Sequence, residues 1–300
     1  MEKRILVCGG CSYTGGGGFN NPEVFKKEFL GLLDSPIKVR NLRWDNPEFT
    51  EFIKNYLWPE NLKKLTGHDL VYNCAIGGRG PESTLNFFID LILKLKEENP
   101  KAKIDAIYQI PESAREEIWY DRYERPVCLL TNFDDDFEPK EYYYTNFFND
   151  EFSFMNQIDT LYRLKKMMSS MGINLNLFCW DNKFIKNSNS LKRLNKEIKN
   201  SKKNDANKRF WSYHDGNVLS IEKEDLRKKI DFLNIIDFRG YGLGRYGEIA
   251  YDSFNFYQKY GVQDTHASKD GMKIIANLLY EKIFKEEKSY MKKILNKIFG

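Results

Sequence analysis

Four short apolar runs, each emptying into a loop and each separated from the next by a stretch that includes helical spacing, constrain this chain most. They cover residues 5–8, 70–74, 104–110 and 174–180. Pro81 followed by Leu85, Phe88, Ile89 and Ile92 predicts one helix, residues 22–33 another, and residues 154–170 a third that Gly172 stops. A fifth short strand is expected at residues 232–236. Met272, Ile275, Ala276, Leu279 and Ile283 then place one apolar stripe on a final helix. Strands alternating with helices predict a mainly parallel α/β sheet, whose ligands bind beyond the carboxyl ends of the strands. Three of those ends carry Ser12, Gly78 and Gln109.

The 300 residues suffice for a full core. Two segments read as insertions into a single domain spanning 1–300: the aromatic and acidic residues 120–152, and residues 182–260 with their lysine-rich and glycine-rich stretches. No apolar run approaches the roughly 18 residues of a membrane span, and the start MEKRILVCGG lacks the apolar stretch of a signal peptide, so a cytoplasmic location is expected. Net charge is only +4, from 47 basic and 43 acidic residues, and no nucleic-acid partner is expected. Residues 183–209 carry ten Lys/Arg against Glu197 and Asp205, but only Phe184 and Phe210 flank them, where single-strand binding calls for interleaved aromatics. Five scattered cysteines argue against a disulfide framework. Cys8-Gly9-Gly10-Cys11 has no second ligand pair, and no metal or organic cofactor is implied.

The first strand leads into Gly9-Gly10-Cys11-Ser12-Tyr13-Thr14-Gly15, a serine flanked by glycines. This turn has neither the Gly-Lys-(Ser/Thr) of a phosphate-binding loop nor the Gly-x-Gly-x-x-Gly of a dinucleotide fold. A serine hydroxyl becomes a useful nucleophile when a base takes its proton. Of the three histidines, His68 and His214 sit in polar stretches and read as surface residues. His266 stands just before the final helix, two residues after Asp264, and is the candidate base.

These motifs resemble the SGNH or GDSL hydrolase superfamily, in which a nucleophilic serine follows the first strand and a histidine precedes the last helix. Gly10-Cys11-Ser12-Tyr13-Thr14 is similar to the first block, with cysteine in place of its usual aspartate. Asn73-Cys74-Ala75-Ile76-Gly77-Gly78 matches a second block, Asn-x-(Gly/Ala)-x-x-Gly. The third block, normally Gly-x-Asn-Asp, is replaced by Gln109-Ile110-Pro111-Glu112-Ser113-Ala114-Arg115. The last is normally Asp-x-x-His; here Gln263 takes the usual acidic position and Asp264 lies one residue closer to His266.

The resemblance implies a flavodoxin-like three-layer α/β/α sandwich and an esterase or acylesterase acting on small or carbohydrate-linked esters. Ser12, His266 and Asp264 would be catalytic. The N–H groups of Ser12 and Gly78 would form the oxyanion hole, with Gln109 as third donor and Ser113 or Arg115 as other possible donors. Tyr13, Arg79 and Arg115 are candidate substrate contacts. Because three blocks depart from the usual pattern, a catalytically weak or inactive protein that binds a carbohydrate or a protein partner is the alternative. Neither the acyl group nor the oligomeric state is readable from the residues.

Overall fold

The computed structural model describes residues 2–15, 53–111, 115, 117–120, 125–128, 140, 143, 150–179, 223–237 and 269–285. Helix expected at 22–33, most of both suggested insertions, and residues 264 and 266 lie outside them.

The first strand, β1 (Arg4–Gly9), runs into a single helical turn, α1 (Ser12–Gly15). Helix α2 (Trp58–Thr66) precedes β2 (Leu70–Asn73), and α3 (Pro81–Glu98) precedes β3 (Lys103–Ile110). A two-stranded antiparallel hairpin follows, β4 (Glu117–Tyr120) with β5 (Arg125–Cys128). Helix α4 (Asp150–Ser170) leads into β6 (Asn174–Cys179), α5 (Lys223–Leu233) into β7 (Ile236–Asp237), and α6 (Lys269–Leu279) closes the order with a π-helical extension, Tyr280–Lys285.

The main sheet has the order β2-β1-β3-β6-β7, and every neighbouring pair is parallel. Counted along the chain within this sheet, the order is 2-1-3-4-5, the flavodoxin-like arrangement, with its switch point between the first and third strands. Alternating side chains feed two cores. Ile5, Val7, Ala106, Tyr108, Leu175 and Leu177 pack with α3, α4 and α5 on one face. Leu6, Cys8, Ile107 and Phe178 pack with α2 and α6 on the other. The fold is therefore α/β/α in three layers.

Local sequence explains the element ends. Pro81 opens α3 at a position where a missing N–H costs nothing. Gly172, at φ +71°, ends α4: its N–H reaches the Ser169 carbonyl at 3.1 Å and the Ile173 N–H reaches that of Met168 at 2.9 Å, a Schellman closure. The strand expected at 232–236 begins later. Phe232 lies in the last turn of a helix whose Ile230 and Leu233, three apart, face the core, and Asn234 at φ 46° turns the chain into β7. A short apolar run alone does not separate these alternatives. Residues 223–237, inside the second suggested insertion, thus supply a helix and an edge strand of the main sheet. No helix among the described residues is long and apolar enough to cross a membrane.

Candidate active site

All strands of the main sheet point the same way, so the loops after β1, β2 and β3 meet at one end of it. The Gly10 carbonyl accepts the Ile76 N–H at 3.1 Å, and the Cys8 carbonyl accepts that of Cys74 at 2.9 Å. Asn73 Nδ2 donates to the Thr14 carbonyl at 3.1 Å while its Oδ1 accepts the Ala75 N–H at 3.1 Å. One side chain therefore ties the turn bearing Ser12 to the loop bearing Gly78. Gly78 lies at φ +70°, a conformation that favours glycine.

Beneath Ser12, the chain is moulded on Gln109. Its Oε1 accepts the Cys11 N–H at 3.3 Å and the Thr14 hydroxyl at 3.0 Å, and Nε2 donates to Cys11 Sγ at 3.2 Å. Gln109 and Cys11 are each only 1% exposed and Thr14 is fully buried. Gly10, at φ +138°, has no room for a side chain: a Cβ there would stand 2.7 Å from Gln109 Cβ and 2.9 Å from its Oε1. The α1 turn is closed by the N–H groups of Thr14 and Gly15, both donating to the Cys11 carbonyl at 3.0 Å.

Next to the Gly78 loop, Glu117 Oε2 accepts the Ser83 N–H at 3.0 Å, capping the first turn of α3 from a remote strand. Its other oxygen stands 3.8 Å from Arg79 Nη1. A Cβ on Gly80 would collide with the Arg115 carbonyl, so the main chain of Arg115 is pressed against the same loop. Arg115 Nε is buried and finds no hydrogen-bond partner among the described residues.

The sheet places the other expected residues as follows. Ser12 and Tyr13 are described in their main chain, at the carboxyl end of β1. Asp264 and His266 lie outside the described residues, but α6 starts at Lys269. Phe284, near the far end of that segment, stacks edge-on against His68 at 5.6 Å between ring centres, and His68 precedes β2 at the opposite end of the sheet. Helix α6 therefore begins at the Ser12 end.

Two features escaped sequence reasoning. His68 is buried, not at the surface: its ring lies between Thr66 Oγ1 at 2.6 Å and Asp105 Oδ2 at 2.8 Å, with Arg4 Nη2 3.6 Å from the same carboxylate. A carboxylate inside the apolar run of β3 was the available signal, because a buried charge needs a partner. Burial pushes the Asp105 carboxyl up, but the His68 hydrogen bond and the charges of Lys103, His68 and Arg4 outweigh it and hold the group below the usual value. Glu117 carried no comparable signal. Burial pushes the Cys8 thiol up, and that of Cys74 up to about 12, which disfavours the thiolate at both.

No protein-family model matches the chain, and no curated protein does. Among solved structures, the chain is similar to a protein assigned as an SGNH hydrolase from Slackia heliotrinireducens, at 12% identity and a TM-score of 0.34 over 94% of this chain and 98% of that one. It is also similar to a carbohydrate esterase whose active site displays divergent catalytic and non-catalytic binding functions, at 12% identity and TM-score 0.41 over 94% of this chain and 68% of that one. A third similarity is to the acetyl xylan esterase AlAXEase, at 9% identity and TM-score 0.36 over 93% of this chain and all of the other.

Proposed function

We propose that this chain is a serine esterase for small or carbohydrate-linked esters, acting in the cytoplasm, with Ser12 as nucleophile and His266 as base. The observation that carries the reading is the tie between the Ser12 turn and the Gly78 loop at the carboxyl end of the sheet, the end from which α6 starts. Three residues span at most about 11 Å of chain, so the segment entering α6 has its origin within reach of that end.

In the proposed reaction, His266 takes the Ser12 Oγ proton as Oγ attacks the ester carbonyl. The carbonyl π electrons move to oxygen, and the N–H groups of Ser12 and Gly78 receive the oxyanion. Collapse breaks the carbon–oxygen bond to the alcohol, which leaves with the proton from His266. A water molecule, deprotonated by His266, then attacks the acyl-serine, and the acid departs as Ser12 regains its proton. Asp264 orients the imidazole. Tyr13, Arg79 and Arg115 are the proposed substrate contacts, and Arg115 Nε, without a hydrogen-bond partner among the described residues, supports the last of these.

The test is hydrolysis of an aryl acetate together with labelling by a fluorophosphonate probe. Both are expected in the native chain and lost in Ser12→Ala and His266→Ala. Equal traces in all three proteins would overturn the reading in favour of the second one, a non-catalytic binding protein. That second reading draws on one observation: the Gln109 amide is spent inside the turn, leaving two main-chain donors.

A further inference from the structure

We propose that Gln109 is a positioning residue for the nucleophile turn, acting through Cys11 and Thr14 without touching substrate; this rests on the esterase reading. Three observations converge on it. The side chain is buried from a strand 98 residues away in sequence, with Oε1 accepting from both Cys11 N–H and Thr14 Oγ1–H. Its Nε2 is engaged by Cys11 Sγ at 3.2 Å, the group that stands where the resembling family has an aspartate. The Gly10 backbone, finally, is pressed so closely on Gln109 that no other residue type fits there.

The physical role follows from what the turn must do. Ser12 offers two groups from one short segment, an Oγ that must face the carbonyl carbon and a main-chain N–H that must face the developing oxyanion. Both depend on the orientation of the Cys11–Ser12 peptide. That peptide hangs from the Cys11 N–H on one side and, through the one-turn α1, from Thr14 on the other. A single carboxamide oxygen holds both ends. Cys11 and Thr14 side chains complete the grip, and their burial removes water that would compete for it. Misplacing reacting groups by about an ångström can cost on the order of 100-fold in rate.

The test compares Thr14→Val, Thr14→Ser, Gln109→Met and the double variant Thr14→Val/Gln109→Met, in the full chain. Aryl acetate turnover and fluorophosphonate labelling of Ser12 are measured, with Ser12→Ala as control and thermal unfolding as a check on folding. Thr14→Val is nearly isosteric, so it separates the hydroxyl from packing. Expected are an about 10- to 100-fold fall in kcat at unchanged KM in Thr14→Val and in Gln109→Met, with the double variant no worse than the poorer of the two, because both break the same anchor. Thr14→Ser, which keeps the hydroxyl, restores most of the turnover lost in Thr14→Val. Turnover unaffected by Thr14→Val, or multiplicative losses in the double variant, would overturn the inference, the latter by pointing to direct contact of Gln109 with substrate. If Ser12→Ala retains full turnover and labelling, it is the esterase reading that fails.

Discussion

His68 Nε2 lies 2.8 Å from Asp105 Oδ2, both side chains essentially sealed from solvent at the amino end of the sheet, opposite Ser12. Asp105 and Gln109 are four residues apart on β3 and so share a face. The same strand thus carries a buried polar anchor at each end, one binding the sheet to the α2–β2 connection and the other shaping the nucleophile turn.

The Asp105 pair gives the protein an acid-labile joint. Its carboxyl titrates lower in the folded than in the unfolded chain, so its stabilisation is fully present above the unfolded value near pH 4 and is lost as pH falls through the folded one. Urea midpoints measured from pH 6 downward should fall below about pH 4 in the native chain. Asp105→Ala should lower stability by about 1–3 kcal/mol at neutral pH, by leaving the buried His68 ring without its hydrogen-bond partner, and should flatten the acid limb.

Gly10→Ala tests the close approach on the opposite end of β3. The methyl group would meet Gln109 atoms at 2.7–2.9 Å, in a backbone conformation that side chains rarely adopt. A loss of about 1–3 kcal/mol is expected from the backbone alone. Fluorophosphonate labelling at Ser12 should drop with it; unchanged labelling kinetics would contradict the moulding of the turn on Gln109.

The parallel frame was legible because its strands are apolar and bounded by glycine or proline, and because the stripe Met272 to Ile283 has helical spacing. What the residues withheld was direction. Gln109 sits at the expected strand end, yet whether its amide faces a ligand or the turn depends on Cys11 and Thr14, which reach it only in the folded chain. His68 misled for the same reason: a polar stretch, Thr66-Gly67-His68-Asp69, is held against the π-helical extension of α6 with a hydrogen bond to Asp105 that sequence separation hides. Glu117 is a remote cap, and a cap supplied from another strand leaves no local pattern.

Glu117→Ala should destabilise α3 and the loop before it. The Ser83 N–H loses its acceptor and Arg79 its carboxylate, for a loss of about 1 kcal/mol in thermal or urea unfolding. Glu117→Gln retains an acceptor and should lose less. If the esterase reading holds, KM should shift more than kcat, since Arg79 is a proposed substrate contact.

Trp58 offers a contrast within the second core. It is fully buried and meets Phe178 edge-on at 5.5 Å, while its Nε1 has no hydrogen-bond partner among the described residues. Trp58→Ala should cost about 3–5 kcal/mol through the cavity it leaves. Trp58→Phe should cost under about 2 kcal/mol, because it also removes a buried donor that water would otherwise satisfy. Equal losses in the two variants would mean that volume is not the governing quantity.

The bridge from Asn73 to the Thr14 carbonyl, with the Ile76 amide on Gly10, has a mechanical consequence. Neither the Ser12 turn nor the loop after β2 can swing without carrying the other, so any breathing of the two is concerted.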